Sequence, residues 1–291
     1  GRFVNYRTSG LTSDVVPLNE KRTYNFFNPK AGIGYQLNDN NSFYASYGRA
    51  HREPRRSDFE QGVFTAEKLD DFELGYRFLS EKIQLNSNVY FMDYKDQLVL
   101  TGALDDVGAP IRATSGKSYR LGLEVDATVA ISNKWSVRPN IAVSTNKNVD
   151  FITSKDGEFI NLGNTNISFS PTVIAGNILE FRPSENIQIA LLSKYVGEQY
   201  MGNIDSEASI LDAYFLNDFS VNYTLKNVSF LDSIVLSGLV NNIFNTEYVS
   251  NGYFYTYDDD FSNPGTITTI EGAGYYPQAG INFMAGVTLN F

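Results

Sequence analysis

The chain has 291 residues, with 23 Lys and Arg against 33 Asp and Glu, a net charge of −10, one His and no Cys. The acidic balance excludes a general nucleic-acid binder, which carries a basic footprint, and the missing thiols exclude a disulfide framework, a thiolate metal site and a catalytic Cys. A single imidazole, His51, leaves His-rich metal sites short of ligands and any Ser-His-Asp mechanism with one candidate base.

In chain order, period-two alternation of apolar and polar residues predicts about twelve strands, at roughly 1–7, 22–37, 42–51, 69–79, 83–95, 118–131, 135–147, 166–181, 187–197, 211–226, 233–244 and 279–291. The clearest run places Tyr119, Leu121, Leu123, Val125, Ala127, Val129 and Ile131 on one face, against Arg120, Gly122, Glu124, Asp126 and Thr128. Many of these strands exceed the usual five or six residues and match the 9–11 residues, plus overhang, of a tilted membrane strand. No apolar run approaches the ~18 residues of a membrane-spanning helix. The mean hydropathy of −0.25 does not count against a barrel, which faces lipid with alternate residues only.

The connections alternate in length. Short turns are predicted at 38–41, 80–82, 132–134 and 182–186, with a slightly longer one near 227–232, and long polar loops at 52–68, 96–117, 148–165, 198–210 and 245–278. Tight periplasmic turns facing large extracellular loops mark an outer-membrane barrel, and a Greek-key sandwich does not sort its loops this way. Aromatics near the short turns (Tyr35, Phe43, Tyr47, Phe78, Trp135, Phe181 and Tyr223) fit an interfacial girdle, or ordinary sheet packing. In the last strand Ile281, Phe283, Ala285, Val287, Leu289 and Phe291 share a face. The expected fold is all-β: an antiparallel, up-and-down transmembrane β-barrel, one domain over 1–291.

Val240–Val249 (VNNIFNTEYV) resembles the penultimate-strand motif of TonB-dependent receptors, and in that family a long loop and a final strand ending in Phe follow, as here. Asp71–Phe78 (DFELGYRF), Tyr94–Leu98 (YKDQL), Gly122–Val125 (GLEV) and His51–Phe59 (HREPRRSDF) resemble further family segments in the same order. The resemblance implies that this is the C-terminal part of a 22-stranded barrel, with a plug, a TonB-contacting box and about ten strands preceding Gly1. A start without Met or signal-peptide pattern agrees with that expectation.

It also implies energised import of a scarce ligand, most commonly a ferric siderophore, across the outer membrane of a Gram-negative bacterium, with no covalent chemistry. Implied partners are outer-membrane lipid and lipopolysaccharide, TonB through the N-terminal part, the barrel-assembly machinery and a small-molecule metal chelate. No cofactor and no resident metal is expected. Phe291, Leu289 and Phe283 are the expected C-terminal insertion signal. Glu73, Arg77, Arg120, Glu124, Asp126 and Arg138 are candidates to face the lumen and plug, or merely to solvate the interior. Two extracellular loops are candidates for ligand binding. Arg49, Arg52, Arg55 and Arg56 around His51 suit an anionic chelate, or a solvated or lipopolysaccharide-contacting loop. Tyr253, Tyr255 and Tyr257 suit small-ligand recognition, and the adjacent Asp258, Asp259 and Asp260 suit solvation better than a hard cation. Rival readings are a passive channel of about twelve strands, a receptor for cobalamin, haem or oligosaccharide, and, with less support, an outer-membrane hydrolase or a soluble adhesin.

Overall fold

The structure, a computed structural model, describes residues 1–12, 15–104 and 110–291. The chain opens with β1 (Arg2–Leu11) and β2 (Pro17–Phe26), then runs through β3 (Lys30–Asn38), β4 (Asn41–Arg52), helix α1 (Arg56–Glu60), β5 (Glu67–Leu79) and β6 (Ile83–Lys95). There follow β7 (Leu98–Leu104), β8 (Pro110–Thr114), β9 (Lys117–Ala130), β10 (Trp135–Val149), β11 (Ile152–Lys155), β12 (Glu158–Asn161) and the two-residue β13 (Thr165–Asn166). The remainder comprises β14 (Val173–Ser184), β15 (Ile187–Val196), β16 (Gln199–Tyr200), a 3-10 turn at Glu207–Ser209, β17 (Ile210–Leu211), β18 (Tyr214–Val228), β19 (Leu231–Asn241), β20 (Val249–Asp259), β21 (Thr268–Pro277) and β22 (Asn282–Asn290).

One twelve-stranded sheet dominates, in the order β22-β19-β18-β15-β14-β10-β9-β6-β5-β4-β3, with β13 added against β10. Every strand pairs antiparallel with its neighbours, so the wall is an up-and-down meander, and β3 and β22 are its two edges. The hairpins β7–β8, β11–β12 and β20–β21 lie off this sheet, within segments the sequence marks as loops. Their own alternation, Tyr253-Tyr255-Tyr257 above all, is the signal for them.

Three boundaries depart from the sequence expectation. Residues 1–7 do not join the wall: β1 pairs only with β2, as a separate arm. The expected strand 22–37 breaks between Phe26 and Lys30, where Pro29 lacks an N–H and pushes Asn28 out of a regular ladder. Likewise 166–181 pairs regularly only from Val173, because Phe169 has φ 51° and Pro171 interrupts donation.

Alternation gives the wall two unlike faces. On the apolar face Phe72, Leu74, Val89, Phe91, Leu121, Leu123, Ile141 and Val143 are exposed, as are Phe283, Val287 and Leu289 of β22. Apolar side chains so displayed need a nonaqueous surrounding. Asn177, Ser193 and Asn217 interrupt this face, and the Ser193 hydroxyl donates to Asn217 Oδ1 at 2.7 Å. Near the short turns, Trp135 stacks on Phe181 at 4.3 Å, Phe43 meets Tyr76 at 5.0 Å and Phe230 meets Phe291 at 6.1 Å. Tyr47 instead packs on Phe72, nearer the long-loop end.

Candidate functional site

The polar face of the wall brings the predicted lumen residues together. Tyr44, Glu73, Arg77, Asn86, Glu124 and Asp126 line a cleft of about 500 Å³. Beside it Gly75 and Gly122 leave room for aromatic rings: Tyr44 lies across the first and Tyr90 across the second. Arg77 caps the Tyr44 ring at 5.2 Å, Asn86 donates to Asp126 at 2.8 Å and Ser46 to Glu73 at 3.3 Å. Beyond it Arg120 reaches Ser170 at 2.9 Å, and Arg138 and Arg182 both pair with Glu180, at 3.0 and 2.7 Å. Asp71 Oδ1 and Asn88 Oδ1, on this same face, are buried without a hydrogen-bond partner.

The arginine loop does not converge. Strand alternation places Arg49 and His51 on the apolar face and Arg52 on the polar one. Arg49 pairs with Asp70 at 2.6 Å and Arg52 with Glu67 at 3.0 Å. His51 stacks on Phe26 at 4.9 Å, and its Nδ1 lies 2.6 Å from Asn28 Oδ1. Arg56, in α1, pairs with Glu60 at 2.9 Å and donates to the Leu11 carbonyl at 2.8 Å, tying the helix to β1. Arg55 is exposed and makes no ion pair among the described residues.

The tyrosines do converge. Tyr253, Tyr255 and Tyr257 stack along β20 with centroids 6.3 and 6.4 Å apart, the first two lying over Gly274 and Gly272 of β21. Phe254, on the opposite face of β20, is buried with Met201 and Leu211, which seats the hairpin on the segment between β15 and β18. Ser206 to Glu271, and Tyr275 to the Ala208 carbonyl at 3.2 Å, add polar anchors. Asp258 accepts from Thr269 at 2.6 Å, and Asp259 closes a turn by accepting from Phe261 and Ser262. Those Ser262 and Phe261 donors hold the Asp259 carboxylate below its ordinary range. A cavity of about 640 Å³ lies beneath the hairpin, lined by Leu211, Tyr214, Thr246, Tyr248, Tyr275 and Pro277 among others.

The VNNIFNTEYV segment, visible in the sequence only as a motif, has a clear physical role. Asn242 and Asn245 adopt left-handed backbone, φ 50° and 51°, which Asn tolerates better than other non-glycine residues. Asn242 is buried, accepts from Thr246 N–H at 2.9 Å and donates to the Thr246 carbonyl at 2.9 Å. Asn245 Oδ1 accepts from Ile281 N–H at 2.8 Å. The motif therefore ends β19, throws the chain into the hairpin and receives it again at β22.

An antiparallel meander with one lipid-compatible face, one polar face and sorted turns defines an outer-membrane β-barrel protein. Residues 1–243 match the family described as TonB dependent receptor-like, beta-barrel, and the chain belongs to that family. Among curated proteins it is 26% identical over 258 residues to the ferrioxamine receptor of Yersinia enterocolitica, covering 88% of this chain and 34% of that protein. It is 20% identical over 263 residues to the catecholate siderophore receptor Fiu of Escherichia coli K12, covering 84% of this chain and 32% of Fiu. The chain thus spans about a third of the length of these relatives. Among solved structures, the closed form of Fiu superposes with a TM-score of 0.69 at 16% identity, over 99% of this chain and 41% of Fiu. The copper transporter OprC superposes at 0.66 with 16% identity, over 95% of this chain and 41% of OprC. These superpositions establish the fold, an outer-membrane barrel wall of the TonB-dependent receptor type.

Proposed function

We propose that the chain is the C-terminal barrel portion of a TonB-dependent receptor, not an enzyme, that imports a ferric siderophore. The match to a ferrioxamine receptor across 88% of the chain carries this reading. The luminal cleft supports it: Asp71 and Asn88 leave polar atoms unpaired on the face that a plug would cover.

Two of the five long loops bear on the ligand's charge: residues 198–213 and 245–278 hold nine carboxylates and no Lys or Arg, while 52–68, 96–117 and 148–165 carry both signs. Of the arginines at 49–56, Arg49, Arg52 and Arg56 are paired with carboxylates, and Arg55 alone is left exposed without an ion pair among the described residues. A ferric tris-catecholate is trianionic and is repelled by such a rim, whereas a ferric tris-hydroxamate core is uncharged. On this reading the ligand is a neutral or cationic chelate, with the tyrosine ladder as its proposed seat.

Growth under iron restriction tests this. A strain lacking the gene fails to grow on a ferric trihydroxamate and regains growth with the gene restored, provided TonB is present. Equal growth with and without the gene, across hydroxamate and catecholate chelates, contradicts it.

A further inference from the structure

A polar row crosses the apolar face, away from the cleft and the tyrosine ladder. The register sets Asn177 of β14 beside Ser193 of β15, and Ser193 beside Asn217 of β18. The row below reads Leu179, Leu191 and Phe219, and the row above Ala175, Tyr195 and Phe215. Ser193 stands six residues beyond Ile187, where β15 leaves its short turn. At about 3.3 Å per residue and a tilt of about 40°, that is about 15 Å above the turn, near the middle of an apolar band about 25 Å tall.

Lipid tails offer an amide no hydrogen bond, so these groups must be satisfied within the row or by a partner. The Ser193 hydroxyl donates to Asn217 Oδ1 at 2.7 Å. That leaves Asn177 Oδ1, an acceptor, and Asn217 Nδ2, a donor, each screened from water and without a hydrogen-bond partner. The row thus ends in an unmet acceptor on one side of Ser193 and an unmet donor on the other. Rotation about the broad terminal torsion of an Asn is enough to turn its amide toward a neighbour.

Those two ends select the occupant. A two-fold axis along the membrane normal, passing Ser193, turns the row of a second copy end for end, so the acceptor side of each copy faces the donor side of the other. The strand tilt makes the two rows cross at Ser193. A second copy also presents its row at the same depth, since both copies sit in one membrane at one height. Barrel walls are convex and touch over few strands, and this row spans three, about 10 Å at the usual spacing. Within lipid, association rests on close packing beside small residues and on hydrogen bonds across the interface. Ala175 and Pro139, next to Asn177 on the same face, are small.

We infer that Asn177, Ser193 and Asn217 form the centre of a two-fold interface through which a second copy of the receptor docks within the membrane. Ser193 meets its own counterpart at the axis, and the two asparagines of each copy flank it.

The test uses the full-length receptor in native outer membranes. Ser193→Cys places a thiol at the axis, where two copies come close enough for a disulfide, and residues 1–291 contain no Cys. Mild oxidation of intact cells gives the Ser193→Cys variant a reducible product of twice the receptor's mass, and gives the unsubstituted receptor none. Val89→Cys, exposed on the same face at β6, also gives none. Adding Asn177→Leu to Ser193→Cys lowers the yield about tenfold, the weight of a hydrogen-bonded contact in lipid. Monomer alone from Ser193→Cys, or an equal dimer from Val89→Cys, overturns the interface. An undiminished dimer with Asn177→Leu overturns the amide row as its centre, and a reducible product of any other mass overturns the second copy as occupant. Should Ser193→Cys not assemble, the unsubstituted receptor decides: with one dye per chain, in nanodiscs cut from native membrane, it bleaches in two steps if paired, and single-step bleaching refutes the inference.

Discussion

Single residues explain why loose motifs in this chain carry so much structure. Asn242 accepts from Thr246, donates back to it and uses its own N–H on Asp218 at 2.7 Å, all in left-handed backbone. Asn242→Ala removes the side-chain bonds and adds left-handed strain, about 3 kcal/mol together. Urea unfolding in lipid vesicles should show a loss of that size, with Asn242→Gly recovering the strain part alone. At Gly75 any Cβ would overlap the Tyr44 ring, and at Gly122 that of Tyr90. Gly75→Ala is expected to destabilise by about 1–3 kcal/mol, and adding Tyr44→Ala should recover part of it, a coupling that a double-mutant cycle measures. If the two changes simply add, the packing of Tyr44 over Gly75 is not what the glycine serves.

At the scale of elements, the strands were legible wherever alternation was uninterrupted, as in β9 and β10. The sequence did not reveal that residues 1–7 leave the wall, because an arm hairpin and a barrel strand share the same period. Nor did the arginine loop disclose its fate. Four guanidinium-bearing residues within eight positions read as one anion site, yet alternation sends Arg49 and Arg52 to opposite faces, each to its own carboxylate. The tyrosine ladder was legible by composition, but its seating was not, since Met201, Leu211 and Phe254 are far apart in sequence. Phe254→Ala empties that seat, a change of about 3–5 kcal/mol for a buried Phe. The β20–β21 hairpin should then be cleaved faster by protease near 260–266, while the wall strands keep their protection. Protection lost throughout would mean that the hairpin's seat supports the wall itself. A second tie joins the neighbouring segments: buried Asn148 and Asn203 meet at 3.2 Å, and Asn203 Oδ1 also accepts from Ser168 N–H at 3.0 Å.

At the scale of the molecule, class and membrane followed from the sorted turn lengths; the up-and-down sheet bears out the class, and the family match the membrane. The wall ends at β3 and β22 with unpaired edges, which lipid does not tolerate. Under the proposed reading, further strands of the receptor would pair with those edges; the chain spans about a third of the relatives' length. Charge is the other property of the whole. Residues 198–213 and 245–278 together hold nine carboxylates and no Lys or Arg, a local excess that no single motif displays and that, on the proposed reading, repels anions. Neutralising three of them, by Glu247→Gln, Asp258→Asn and Asp260→Asn together, should weaken binding of a cationic ferric trihydroxamate by about tenfold at low salt. Binding of an uncharged trihydroxamate should be little altered, and an equal loss for both chelates would show that the change acts through the loop's structure.

Energised import of a neutral or cationic ferric chelate is open to test by radioactive iron uptake in intact iron-starved cells. Accumulation from a ferric trihydroxamate should stop when the gene is deleted, when TonB is removed or when the inner membrane is de-energised, with little uptake from a ferric tris-catecholate. Accumulation that persists without TonB or energy would contradict it and mark the barrel as a passive channel.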